Sequence, residues 1–217
     1  MNRSQEVTAF SQDDAKILEE VMNIAFGKAS ADLAKVVDIR ILLTAPKVEF
    51  LKADDLLQWI KQDTKTDDTL NMIEQNFWGK YTGSAFLAFP SSASKGLISL
   101  FDDDDELPLG EKSPLLEKET LLEVGNILIG ACVGKVAELL DDNVSFSPPR
   151  LVPQLVIDNL SSEAISSKLN DPDKMAILIK TVFNFEDKDV KGFLFLVAGE
   201  ESMQWLKMAL KNFMAKF

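Results

Sequence analysis

The sequence predicts an α/β protein made from two copies of one unit. Three observations lead there. The chain matches itself when shifted by about 100 positions, each copy opens with a long amphipathic helical pattern, and each copy then shows a hairpin pattern followed by a helical one. In the first alignment Glu20-Val21-Met22-Asn23-Ile24 falls on Glu123-Val124-Gly125-Asn126-Ile127, Gly27 on Gly130, Ala34 on Ala137, Asp38 on Asp141 and Pro46 on Pro149. Further on, Gly83-Ser84-Ala85-Phe86-Leu87-Ala88 falls on Gly192-Phe193-Leu194-Phe195-Leu196-Val197. The expected organisation is one domain over 1–217, with repeats at 11–101 and 113–217 joined by an acidic linker at 102–112.

The first long helix is expected over 12–37. Ser11 and Asp14 have the spacing of a capping box, and Ile17, Leu18, Val21, Ile24, Ala25 and Leu33 recur with helical period. Its copy is expected over 114–140, with Ser113 as N-cap and Pro114 at the first helical position. Strands are expected at Ile39–Leu43 and Lys47–Leu51 in the first copy, and at Val144–Phe146 and Leu151–Ile157 in the second. Leu70–Phe77 with Tyr81–Phe89 reads as a hairpin turning at Trp78-Gly79-Lys80; Ala176–Glu186 with Val190–Ala198 reads as another turning at Asp187-Lys188-Asp189. Short helices are expected at 53–62, 91–101, 160–169 and 200–215.

Composition excludes several chemistries. The 217 residues carry a net charge of −12 and contain no histidine. Such a charge repels phosphate backbones and anionic lipid, so neither nucleic acid nor a membrane is an expected partner. Without histidine, Ser-His-Asp and Cys-His catalysis are out. A lone cysteine, Cys132, forms no intrachain disulfide and no cysteine-rich metal cluster, and it is expected in the core of the second helix. The N-terminus shows no secretory pattern and no membrane-length apolar run stands out, so a cytoplasmic location is expected. The run Asp102-Asp103-Asp104-Asp105-Glu106 lacks the alternating ligands and distal Glu of an EF-hand loop and reads as solvated linker. Trp59, Trp78 and Trp205 are spread over three elements and read as packing residues.

On a helical wheel the apolar residues of the first helix take one broad side, which is expected to face the sheet. Lys16, Glu20, Asn23, Gly27, Ser30 and Ala34 take the opposite strip, and Glu119, Glu123, Asn126, Gly130, Val133 and Ala137 repeat it in the second helix. A glycine in an exposed helix interior costs about 1 kcal/mol relative to alanine. Two at equivalent places suggest close approach, either of another backbone or of the two long helices to each other.

Glu and Asn at i, i+3 are neighbours on a helix surface. The Asn carboxamide does not titrate and is no nucleophile, but it offers an acceptor and two donors and can orient water. The Glu can pair with a cationic partner residue. Together they make half a site; a nucleophile, a metal or a phosphate cradle would have to come from a partner. A single Glu-x-x-Asn is an ordinary pair of solvent-facing residues. Its recurrence at the same place in both copies, each with Gly four residues after the Asn, sets this pair apart.

The pattern Glu20-x-x-Asn23-x22-Pro46, repeated as Glu123-x-x-Asn126-x22-Pro149, resembles the signature of the CheC/CheX/FliY family of chemotaxis phosphatases. The runs Glu123–Gly130 and Pro153-Gln154-Leu155-Val156-Ile157-Asp158 also look CheC-like, and the resemblance covers nearly the whole chain. Two intact motifs fit CheC better than the one-site CheX, and no FliN-like domain as in FliY is expected after the second copy. The resemblance implies a pseudo-twofold fold, with two long helices side by side on one face of a continuous, largely antiparallel sheet. It implies a phosphatase for the phospho-aspartate of a CheY-like receiver in two-component signalling. Asn23 and Asn126 would orient the attacking water, and Glu20 and Glu123 would dock on the receiver's lysine. This chain needs no cofactor of its own; the phosphorylated receiver would bring Mg²⁺. A different reading is a non-catalytic interaction module that binds a receiver, a flagellar switch component or a CheD-like deamidase. Where the family has Asp or Ser four residues before the Glu, this chain has Lys16 and Glu119. Lys16 could pair with Glu20 along the helix and compete with docking, so the second site is expected to be the stronger.

Overall fold

A computed structural model describes residues 10–36, 41–43, 46–52, 55, 70–91, 114–155, 175–185 and 188–216. Helix α1 (Gln12–Val36) starts at the expected capping box. The Ser11 N–H donates to Asp14 Oδ2 at 2.8 Å, and the Asp14 N–H donates back to Ser11 Oγ at 3.1 Å. Strands β1 (Ile41–Leu43), β2 (Lys47–Lys52), β3 (Leu70–Trp78) and β4 (Gly83–Pro90) follow. Then come helix α2 (Pro114–Leu139), strands β5 (Ser145–Phe146), β6 (Arg150–Leu155), β7 (Met175–Phe185) and β8 (Lys188–Ala198), and helix α3 (Glu200–Met214). The expected cap at Ser113 and linker 102–112 lie outside the described residues, as do, but for residues 55 and 91, the short helices at 53–62, 91–101 and 160–169.

The eight strands among the described residues join one sheet, and each of their pairings is antiparallel. The order runs β1-β7-β8-β4-β3-β5, with β2 also on β7 and β6 also on β3. It reads symmetrically about the β4–β8 pair, where Phe86 lies opposite Phe195. The first two strands of each half therefore pair with the hairpin of the other half. The second hairpin is tighter than expected: Lys188 and Asp189 already belong to β8, opposite Phe185 and Asn184.

Strand residues alternate between two buried clusters, as the period of two demands. Ile73, Phe77, Ala85, Leu87, Ile177, Ile179, Leu194 and Leu196 face the helices and join Leu18, Val21, Met22, Ala25, Phe26, Val124, Leu128, Cys132, Leu206 and Leu210 in one core. Leu70, Met72, Phe86, Ala88, Leu178 and Phe195 form a second cluster on the other face. Helices α1 and α2 pack on each other over the first face, and α3 packs beside α1. Contrary to the sequence reading, Lys118–Leu139 is long and apolar enough to cross a bilayer. More than half of that stretch is buried inside the fold, where it serves as core helix.

Some faces differ from the wheel. Ile24 is 39% exposed, while Met22, Phe26 and Ala29 are buried instead. Ser30, expected on the open strip, is buried because its Oγ accepts the Leu43 N–H at 3.2 Å and ties β1 to α1. Val133 and Ala137 are buried too, so the open strip of α2 is confined to its first half. The side chains of Leu33 and Ala34 lie outside the described residues. Trp78 is 49% exposed at the hairpin tip and packs less than expected; Trp205 is half-buried and stacks on Tyr81 with ring centroids 6.5 Å apart; Trp59 lies outside the described residues. Cys132 is buried as expected, and burial pushes its thiol far above the usual range, which leaves it unreactive.

Helix α2 ends in a Schellman motif. Asp141 takes φ 58°, the Asp142 N–H reaches the Ala137 carbonyl at 2.9 Å and the Asp141 N–H reaches that of Glu138 at 3.2 Å. This turn aims the buried Asp142 carboxylate at the β3–β4 connection. Its Oδ1 accepts the Lys80 N–H at 3.2 Å and its Oδ2 the Tyr81 N–H at 3.1 Å. A Cβ on Gly79 would lie 2.8 Å from both the Asn143 carbonyl and Asp142 Oδ2, so the approach needs glycine. Replacing Asp142 leaves three backbone donors, the N–H groups of Lys80, Tyr81 and Asn143, without their acceptor. Asp142→Ala is expected to lower the unfolding free energy by about 2 kcal/mol in urea denaturation. An undetectable change would mean that other contacts hold the hairpin tip.

Candidate functional site

Glu20 and Asn23 on α1 and Glu123 and Asn126 on α2 are all exposed. None is turned into the core, because the buried stripe of each helix runs through other positions: Leu18, Val21, Met22 and Ala25 in α1, and Leu121, Val124, Leu128 and Cys132 in α2. Among the described residues neither Glu20 nor Glu123 has an ion-pair partner, and both are exposed. Lys16 is exposed and, among the described residues, makes no ion pair with Glu20, contrary to the competition expected from spacing.

The glycines settle one alternative. A Cβ on Gly27 or on Gly130 would meet nothing within 4 Å. Close packing of α1 on α2 therefore does not require them. Gly125, beside the second motif, is the glycine with an internal reason: a Cβ there would lie 2.6 Å from Ile73 Cγ2, so α2 sits directly on β3. Its counterpart in the first copy is Met22, a full side chain that fills the core.

That close approach brings β3 to Asn126. On the helix-facing side of β3, between Ile73 and Phe77, stands Gln75, only 2% exposed. Its Nε2 donates to Asn126 Oδ1 at 2.8 Å and to the Ser147 carbonyl at 2.8 Å. Its Oε1 is buried without a partner. Ser147 lies in the segment that carries Pro149. It is sewn to β3 by its own N–H on the Asn76 carbonyl at 2.9 Å and by the Asn76 N–H on its Oγ at 3.0 Å. The motif proline and the motif Asn, with 22 residues between them in sequence, are thus brought together through Gln75 and Ser147.

The first site is built differently. There the Glu19 carboxylate accepts the Val48 N–H at 2.9 Å and fastens the strand that follows Pro46 to α1. The residue matching Glu19 in α2 is Leu122, which has no such group. Among the described residues no side chain hydrogen-bonds Asn23.

Sequence reasoning missed Gln75 and Ser147. A signal for Gln75 did exist, since a polar residue interrupts the helix-facing alternation Ile73, Gln75, Phe77. A further polar pair lies on the opposite face of β3 and β6: the Arg150 Nε donates to the buried Glu74 carboxylate at 2.6 Å. It faces away from the helices and adds nothing to the motif strip.

No protein-family model matches the chain. It is 26% identical over 207 residues to the Bacillus subtilis (strain 168) protein described as CheY-P phosphatase CheC, covering 92% of this chain and 94% of that one. Among solved structures it shares the fold of Thermotoga maritima FliY, with a TM-score of 0.71 at 15% identity over 94% of this chain and 98% of that one. It also shares the fold of the FliM middle domain from H. pylori, with a TM-score of 0.55 at 12% identity over 92% and 99%. The chain is thus similar over nearly its whole length to a CheC protein and shares its fold with FliY and the FliM middle domain.

Proposed function

We propose that the chain is a phosphatase for the aspartyl phosphate of a CheY-like receiver domain in chemotaxis signalling. The observation that carries the reading is the outward display of both Glu-x-x-Asn pairs, on a chain similar over almost its whole length to a protein described as a CheY-P phosphatase. Glu20 and Glu123 dock on a lysine of the receiver through a charge-assisted contact. Asn23 and Asn126 enter beside the phosphorylated carboxylate and hold a water in line for displacement. The receiver contributes the phospho-aspartate and a Mg²⁺ ion that offsets charge on the phosphoryl oxygens. This chain's part is orientation, which can supply a large share of a barrier reduction without covalent chemistry. Gly27 and Gly130 fit the same reading: each leaves a flat patch one turn after the Asn, where a partner backbone can come close.

A second reading, a binding module without hydrolysis, draws support from the FliM-type fold and from Lys16 and Glu119 in place of the family's Asp or Ser. Phosphate release separates the two. The intact chain should shorten the lifetime of a phosphorylated receiver, and the Asn23→Ala, Asn126→Ala double variant should lose nearly all of that effect while keeping its circular dichroism spectrum. Binding with an unchanged receiver lifetime would favour the module.

The glycines give an independent check. Gly27→Ala and Gly130→Ala should each raise the unfolding free energy by up to about 1 kcal/mol, since the added methyl meets open space. Gly130→Leu should fold as well but weaken receiver binding at the second site in a titration. Unchanged binding would show that the partner does not touch this patch.

A further inference from the structure

We propose that Gln75 is the positioning residue of the second site: it sets the Asn126 carboxamide in one orientation, with its oxygen toward the sheet and its NH₂ outward. The inference rests on the hydrolytic reading above for its consequence, but the tether itself does not.

The orientation follows from a backbone group. The Ser147 carbonyl can only accept, so the Gln75 group 2.8 Å from it must be the NH₂. The second hydrogen of that NH₂ points at Asn126, 2.8 Å away, and only the Asn126 oxygen can receive it. A fixed main-chain atom thereby assigns two side-chain amides in turn. Asn126 Oδ1 keeps a second lone pair for a water, and its NH₂ remains outside for a phosphoryl oxygen.

The cost of this arrangement argues that stability is not its purpose. Gln75 replaces an apolar residue in a helix-facing column, and its Oε1 is buried with no partner. Sites that accept such a penalty are commonly functional. The first site has no equivalent among the described residues. Its Glu19 fastens the post-proline strand directly, and among the described residues no side chain hydrogen-bonds Asn23. Among the described residues only the second site is therefore preset. The asymmetry crosses the two halves of the chain, since the first half's hairpin supplies the residue that orients the second half's Asn.

Two measurements test it. In the free wild-type protein, ¹⁵N relaxation of the side-chain amides should show Asn126 well ordered and Asn23 mobile, and Gln75→Met should bring Asn126 to the mobility of Asn23. Equal mobility in the wild type would overturn the tether without recourse to any variant. In phosphate release with Asn23→Ala as background, Gln75→Met should lower kcat about tenfold and leave KM within about twofold, because docking by Glu123 is untouched. With Asn126→Ala as background the same substitution should cost nothing further. A loss of the same size in both backgrounds, or no loss in the first, would sink the positioning role. Ordered Asn126 in a protein that never speeds phosphate release would instead remove the hydrolytic reading and leave the tether standing.

Discussion

The antiparallel pairing of β4 with β8 is the constraint on which the rest of the molecule depends. It makes one sheet of eight strands instead of two small ones. Both central strands bury side chains on both faces, Leu87 and Leu194 toward the helices and Phe86 and Phe195 away from them. Burying a Leu or Phe side chain is worth roughly 1.5–3 kcal/mol. The seam between the halves is therefore part of the core and not a domain boundary. Around it the early strands of each half are exchanged, β2 onto β7 and β6 onto β3. Neither half could assemble its share of the sheet alone.

This exchange explains what was legible in the sequence and what was not. Local patterns carried their information well. The capping box at Ser11 and Asp14, both long helices, the two hairpins and the outward placement of Glu20, Asn23, Glu123 and Asn126 all depend on neighbours close in the chain. The Asn126-x22-Pro149 spacing was read only as part of a family-like signature, not as a link in space. The errors arose where a distant element decides. Ser30 is drawn inward by the Leu43 amide, Val133 and Ala137 by the packing of the latter half of α2, and Ile24 is left outside because Met22 and Phe26 fill the space below α1. Gln75 was invisible to a comparison of copies because it acts across them: its strand belongs to one half and its partner Asn126 to the other.

The two motifs have the same letters on different supports. At the second, the helix lies close enough to β3 for Ile73 to touch the backbone at Gly125, and the strand can reach the motif with a side chain. At the first, Met22 stands where that glycine would be. The strand residue differs as well: through the hairpin registers Gln75 is matched by Ile179 of β7, which has no hydrogen bond to give. The differences between the halves thus lie in the buried layer between helix and sheet, beneath the residues that would meet a partner.

The consequence for chemistry is one of timing. A free Asn side chain must lose rotamer freedom when a partner closes over it, which costs about 0.5–1.5 kcal/mol per immobilised group. On the proposed reading, Asn23, with no side-chain partner among the described residues, meets that cost at the moment of docking. At Asn126 the fold has already met it, through a buried amide whose own oxygen is left without a partner. An energy of this size changes an equilibrium by roughly two- to twelve-fold. That is too little to decide whether a site works, but enough to decide which of two otherwise equal sites works first. Lys16 and Glu119 modify the outer face of each motif, where solvent weakens a charge contact. The Gln75 contact lies beneath the surface, where solvent screens it far less. The difference between the two sites is accordingly written more firmly in the support behind the carboxamides than in the charges around them.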